Sequence, residues 1–316
     1  MILTHYKLYP PAMSSASDRQ HATQGVLYTF VAFVIWGLFP LYWKPLHQVP
    51  ALQILCHRIV WSALFVAGIL LVRKQWAWLP AAVKDPRKLG IFALSSLLLS
   101  MNWGIYIWAV NQGRVVEASL GYFINPLVNV LLGRLFLSER LTLPQSLAVG
   151  LATLGVAWIT FSAGALPWVA LSLAATFGFY GLLRKKAPLA SLEGLALETF
   201  LMAPLALAAL LMFEGRGDGA YGHISSLLDG LLMGAGVVTA IPLLLFASGA
   251  RRLKLATVGL IQYVGPSIQL GLGVLLFGEP FDSARLAGFA LIWTALVLYS
   301  AAGFWQMRAA RGASAA

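Results

Sequence analysis

Arg58 and Glu198 are the ionisable side chains whose placement could do chemistry. Each lies about two turns inside a long apolar stretch. Arg58 is flanked by Cys56, His57 and Ile59, and Glu198 is the only acid between Leu195 and Phe213. A charge at membrane depth costs at least about 2.5–3.5 kcal/mol on insertion scales, so it is a functional candidate by default. The plainer reading of Arg58 is an arginine snorkelling outward to lipid headgroups. Facing a shared cavity, the two residues would bind a charged solute or a coupling proton. Around them stand Trp36, Asn102, Trp103, Tyr106, Tyr122, Asn125, Gln262 and Tyr263. Aromatic faces and amides of this kind suit an organic solute held by stacking and a few hydrogen bonds, and they equally suit ordinary helix packing.

Two prolines complete the set. The stretch from Glu117 to Leu141 has a weaker copy from Leu255 to Phe281. Pro126, Gly133 and Glu139 match Pro266, Gly273 and Glu279 at one constant offset, and Ala118 and Gly121 match Ala256 and Gly259 at a slightly shorter one. Proline removes a backbone bond and frees the carbonyl four residues back, here those of Tyr122 and Gln262. In hydrocarbon such a break is expected only where it faces protein or a water-filled cavity. Matched breaks in the two halves of a chain point to a carrier. On the first copy, Glu117, Gly121, Asn125 and Val128 share one helical face. Glu117 lies near the end of its run, where pairing with Arg114 is the simpler reading.

The elements that must position these residues are membrane helices. The chain of 316 residues is 59% hydrophobic and 10% charged, against roughly 25% charged in a soluble domain. Its mean hydropathy is +0.80. The expected class is all-α integral membrane, with ten transmembrane helices as two inverted five-helix repeats. Apolar runs of spanning length fall at 25–43, 52–72, 89–110, 115–137, 144–162, 166–184, 192–213, 228–250, 255–277 and 284–305. The first repeat is 25–162 and the second 166–305. Residues 1–24 are read as a disordered cytoplasmic tail and 306–316 as a second cytoplasmic tail. The small-residue runs five and ten are expected to pack against neighbouring helices or a second copy of the chain, as in a homodimer.

Charge sets the orientation. Counting Lys and Arg in alternate connecting segments gives 17 on the side of the N-terminus and 4 on the other, which places both termini in the cytoplasm. Five helices per half is odd, so the second half must enter the membrane upside down. The loop after the second run is basic while its counterpart after the seventh holds only Arg216, and the loop after the third holds only Arg114 while its counterpart after the eighth holds Arg251, Arg252 and Lys254. Basic residues have moved to stay on one side, as an inverted repeat requires.

Other classes find little support. The net charge of +11 sits in short gaps between apolar runs and serves orientation, not nucleic acid. The five histidines lack metal-ligand spacing, the single Cys56 lies in an apolar run, and phosphate-loop, zinc-protease and serine-hydrolase motifs are missing. No metal and no cofactor is expected. The Gly234/Gly236 and Gly271/Gly273 pairs lie in apolar helices and read as helix-contact glycines.

The motifs E-A-S-L-G-Y-F-I-N-P-L at 117–127, I-W-G at 35–37, H-R at 57–58, N-W-x-x-x-x-W-A-V-N at 102–111, F-Y-G-L-x-R-K-K at 179–186 and Q-Y-x-G-P at 262–266 resemble RarD-type permeases. These belong to the EamA branch of the drug/metabolite transporter superfamily. The resemblance covers residues 24–305. It implies ten helices in inverted repeats, an inner-membrane location and secondary active transport. The residues read by themselves point to a small organic solute as cargo, with proton coupling as one energy source. A membrane-embedded enzyme or a lipid-handling protein is the alternative reading.

Overall fold

The computed structural model describes residues 16–137, 142–186, 188–250, 252–253, 258 and 261–313. Among them every regular element is helical: α1 (Ala16–Trp43) with a 3₁₀ turn (Lys44–Gln48), α2 (Ala51–Val72), α3 (Leu79–Val83), α4 (Pro86–Asn111), α5 (Val115–Leu137), α6 (Leu143–Ala163), α7 (Trp168–Lys186), α8 (Ser191–Gly215), α9 (Ser226–Ala250), α10 (Val264–Gly271) and α11 (Ser283–Ala313). Eight helices are long and apolar enough to cross a bilayer, and two shorter apolar helices, Trp168–Arg184 and Val264–Leu276, accompany them. This is a multi-pass membrane bundle.

Several boundaries differ from the sequence reading. Helix α1 already runs from Ala16 and α11 continues to Ala313, so the expected tails are helical at 16–24 and 306–313. Alanine, glutamine and arginine propagate a helix well beyond its apolar run. Residues 1–15 lie outside the described residues. The loop after α2 contains the short helix α3. Helix α5 continues unbroken through Pro126, which corrects the expected break there. Helix α5 packs along α7 there, and one missing backbone bond does not interrupt it. The second copy differs. A turn at Gln262–Tyr263 precedes α10, and Pro266 stands in the first turn of that helix, where the N–H it lacks has no partner to lose. Beyond α10 the chain forms a π-helical turn over Leu272–Leu276, with Phe277 N–H donating to the Leu272 carbonyl at 2.9 Å. Ala256 and Gly259 of the second copy and Glu139 of the first lie outside the described residues.

Close helix pairing organises the bundle. Helix α1 packs on α9 and α10, α2 on α8 and α9, α4 on α7, α5 on α7, and α6 on α11. Small residues permit it. A Cβ on Gly236 of α9 would meet the α2 backbone, 2.7 Å from Ser62 N, and one on Gly121 of α5 would stand 2.7 Å from the Ala170 carbonyl oxygen of α7. The small-residue helices α6 and α11 pack on each other.

Carboxylates close helix ends across the chain. Glu279 accepts the N–H groups of Val115 and Val116 at 2.7 and 2.8 Å, capping α5. Glu117 accepts Val169 N–H at 2.9 Å, serving the start of α7, and also pairs with Arg114 at 2.6 Å. Both remove orphan donors that lipid could not satisfy.

Two outcomes test this packing. Gly236→Leu should lower the detergent-solubilised protein's unfolding free energy by roughly 3 kcal/mol or more, while Gly150→Leu, with nothing within 4 Å of its Cβ, leaves the melting temperature unchanged. Burial lifts the Glu279 carboxyl above its ordinary 4.5, against the pull of the Val116 and Val115 N–H groups, Lys44 and Arg285. The folded state thus holds this proton more tightly than the unfolded chain. The group's contribution to stability is full below pH 4.5 and declines as pH rises through the lifted value. Thermal melts across that range should show a decline that Glu279→Gln removes.

Candidate functional site

The polar centre of the bundle is built where α1, α2, α4, α7 and α8 meet. On α4, Ser95, Asn102 and Tyr106 follow helical spacing and face inward, and all three are buried. On α2, Arg58 is 2% exposed, so it does not snorkel. Its guanidinium lies 3.8 Å from the Trp103 ring centroid, 5.3 Å from Trp43 and 5.9 Å from Phe39. Aromatic faces attract the cation electrostatically. They do not accept its in-plane N–H bonds, and Nε and Nη1 are sealed from solvent with no partner among the described residues. Among the described residues no carboxylate pairs with Arg58. The Tyr106 hydroxyl, close enough to Arg58 to interact with it electrostatically, is also buried without a partner.

Glu198 on α8 is equally buried at 2% exposure but well furnished. Ser95 Oγ donates to its Oε1 at 2.7 Å and the Tyr180 hydroxyl donates to its Oε2 at 3.3 Å. Arg184 Nη1 stands 3.8 Å from Oε1, an ion pair too long to be a hydrogen bond. The Arg184 guanidinium rests over Phe92, 5.3 Å from the ring centroid.

A small recess between α2, α4 and α8 joins the two regions. Its walls include Ile59, Ser96, Leu99, Trp103, Glu198 and Met202. Arg58 reaches it only through Trp103, and Arg58 and Glu198 do not touch.

The remaining sequence candidates divide. Asn102 is engaged by α7, its Nδ2 donating to the Leu173 carbonyl at 2.9 Å and to Thr176 Oγ1 at 3.0 Å. Tyr122 donates to Asn102 Oδ1 at 3.4 Å and packs edge-on to Tyr106. Tyr122 and Tyr106 both lie within electrostatic reach of Arg58, Tyr122 the more strongly. Asn125 is buried with Oδ1 unpartnered. Trp36 packs on Phe33 and Phe246, and its carbonyl accepts Gln269 Nε2 at 3.0 Å, on the α1–α10 contact. Tyr263 packs beside the α6–α11 cluster, and Gln262 stands in the turn before α10. The structure does not join Gln262 and Tyr263 to the Arg58 cage, while Trp36 packs on the same apolar cluster as the cage residues Phe39 and Trp43 without itself facing Arg58. Sequence reasoning missed Phe39, Trp43, Ser95 and Arg184. Ser95 shares the helical stripe of Asn102 and Tyr106, which could have revealed it. Arg184 opens a basic run, and nothing in that run marks which cation turns inward.

If Arg184 neutralises Glu198, Arg184→Ala should cost roughly 3 kcal/mol of unfolding free energy by stranding a buried charge. Adding Glu198→Gln should restore most of it. Denaturant unfolding of the two variants in detergent measures this coupling.

Comparison with known proteins follows the same lines. The EamA-like transporter family matches twice, over residues 23–161 and 166–301. The chain is 51% identical over 287 residues to the uncharacterized transporter YojE of Bacillus subtilis, covering 89% of this chain and 95% of that one. It is 50% identical over 277 residues to an uncharacterized transporter of Pseudomonas aeruginosa, covering 88% and 93%. Against the protein RarD of Escherichia coli it is 42% identical over 282 residues, covering 89% and 95%. One crystal structure shares the fold at a TM-score of 0.56 and 19% identity, covering 87% of this chain and 96% of that one. With a buried polar centre inside a bundle of apolar helices, the chain belongs to the EamA-like transporter family, as a permease of RarD type.

Proposed function

We propose that this transporter carries a small organic solute across the cytoplasmic membrane by alternating access, with its two halves as inverted five-helix repeats. The ten spans are α1, α2, α4, α5 and α6 in the first half and α7, α8, α9, the apolar run 255–277 that contains α10, and α11 in the second. Helix pairing supports the repeat. The contact of α1 with α9 has its counterpart in α7 with α4, and that of α5 with α7 in α10 with α1. Helices α2 and α8, and α6 and α11, pair with their own counterparts. Both termini are assigned to the cytoplasm from the basic residues of the connecting segments.

The observation that carries the transport reading is the pair of charges buried at equivalent depth, Arg58 in α2 and Glu198 in α8, each 2% exposed. A scaffold helix gains nothing from such groups, which cost several kcal/mol to hold in an apolar bundle. A carrier uses them, since differential contacts in its two open states are what drive the change of access. Glu198 is the residue assigned to a coupling proton.

Flux through proteoliposomes tests this. The panel of radiolabelled solutes includes chloramphenicol, because a Pseudomonas aeruginosa relative 35% identical over 295 residues bears the name chloramphenicol-sensitive protein RarD. At least one solute should move saturably, faster with a pH gradient than without. Arg58→Ala and Glu198→Ala should each slow it by roughly tenfold or more. Flux equal to protein-free vesicles for the whole panel, or full activity of both variants at every pH, overturns the reading.

A further inference from the structure

The two buried charges are furnished unequally, and the inequality follows the repeat. Phe39 and Trp43 of α1 correspond to Tyr180 and Arg184 of α7, both at the same offset in the chain, and Arg58 corresponds to Glu198 at nearly that offset. In both halves the same three positions come together. Phe39 and Trp43 lie against Arg58, and Tyr180 and Arg184 lie against Glu198. In the second half these positions supply a hydroxyl donor and a counter-ion. In the first half they supply only rings, and no acid stands where Arg184 would have its mirror image.

The first pole is therefore incomplete. Its guanidinium has three aromatic faces within 6 Å, two N–H-bearing nitrogens sealed and unpaired among the described residues, and an unpaired tyrosine hydroxyl within electrostatic reach. Ring faces leave the donor edge of a guanidinium unsatisfied, and a planar carboxylate matches that edge. The charges of this centre also sum in favour of a cation: buried Arg58 and partly exposed Arg184 against buried Glu198, among the described residues.

We propose that the transported solute is an organic anion whose carboxylate is received by the guanidinium of Arg58 and the hydroxyl of Tyr106, with its flat apolar body against Trp103. This rests on the transport reading for its biological meaning, and the binding itself is measured separately. The ring of Trp103 is shared by the Arg58 cage and the recess. The recess as it stands has room for a single water, about 10 Å³, so a solute approaches the pole along that face only when α2, α4 and α8 part. Glu198, with its partners already in place, does not compete for the carboxylate.

The test uses the full chain purified in detergent, with benzoate, phenylacetate and indole-3-carboxylate as probes, each against its uncharged primary amide. The acids should raise the melting temperature saturably and quench tryptophan fluorescence, and the amides should do neither. Arg58→Gln should fold with a melting temperature at or above that of the parent, because an unpaired buried charge has gone, and should bind the acids roughly tenfold or more weakly. Arg58→Lys keeps the charge without the planar fork and should also bind weakly. Tyr106→Phe, which keeps the ring and the fold, should weaken acids and leave amides unmoved. Equal responses to acid and amide, no response to any acid, or undiminished acid binding in Arg58→Gln or Tyr106→Phe overturns the proposal. Flux separates it from the transport reading. Acids that bind through Arg58 but never cross proteoliposomes leave the site standing and remove the carrier. Saturable flux of neutral solutes that is indifferent to Arg58→Gln leaves the carrier standing and removes the site.

Discussion

Hydrocarbon offers no hydrogen bonds, so every polar group inside this bundle must find its partner in the protein. That constraint reaches from the backbone to the site. It makes the described elements helices, whose peptide groups pair internally. It explains why Glu279 reaches across the fold to the first N–H groups of α5 and Glu117 to that of α7. It also makes exceptions informative. Where a guanidinium and a phenol remain unpaired at the centre of such a structure, the missing acceptor is the main fact about the site.

The two poles show how one arrangement yields two chemistries. Within the proposed repeat, Arg58 and Glu198 occupy matching places on matching helices, and matching residues on the preceding helix lie against each. Replacing Trp43 by its counterpart Arg184, and Phe39 by Tyr180, turns an aromatic cage into a charge-neutralising shell. Arg58 and Glu198 are equally buried, though Phe39 and Trp43 are sealed while Tyr180 and Arg184 are partly exposed. The difference lies in what the neighbours can donate or accept, which is set by side-chain type and not by the backbone.

The prolines correct an attractive symmetry. Pro126 and Pro266 match in sequence, yet one lies within a continuous helix and the other in the first turn of a short one. Proline marks a place where a helix loses one bond. Whether the chain also turns there is not set by the proline alone. Helix α5, which meets α7 through a glycine contact, runs on through Pro126. In the second copy the turn precedes the proline, and a π-helical turn follows it.

Composition and run length alone specified a helical membrane bundle, because burying about twenty apolar residues per segment leaves lipid as the only matching solvent. The cost of a charge at depth likewise singled out Arg58 and Glu198 before any packing was known. The family resemblance was legible too, in motifs concentrated on α4, α5 and α7. Which faces meet was not legible. A membrane helix is apolar toward lipid and apolar toward its neighbours, so its periodicity is faint: on α2, Leu64 is 57% exposed and Val66 is 1% exposed, yet both are aliphatic. Helix rotation therefore decided that Asn102 would be consumed by α7, that Trp36 would turn to α10, and that Arg184 would leave its basic run to meet Glu198. Those pairings join residues far apart in the chain, and only the close approach of helices through small residues brings them together.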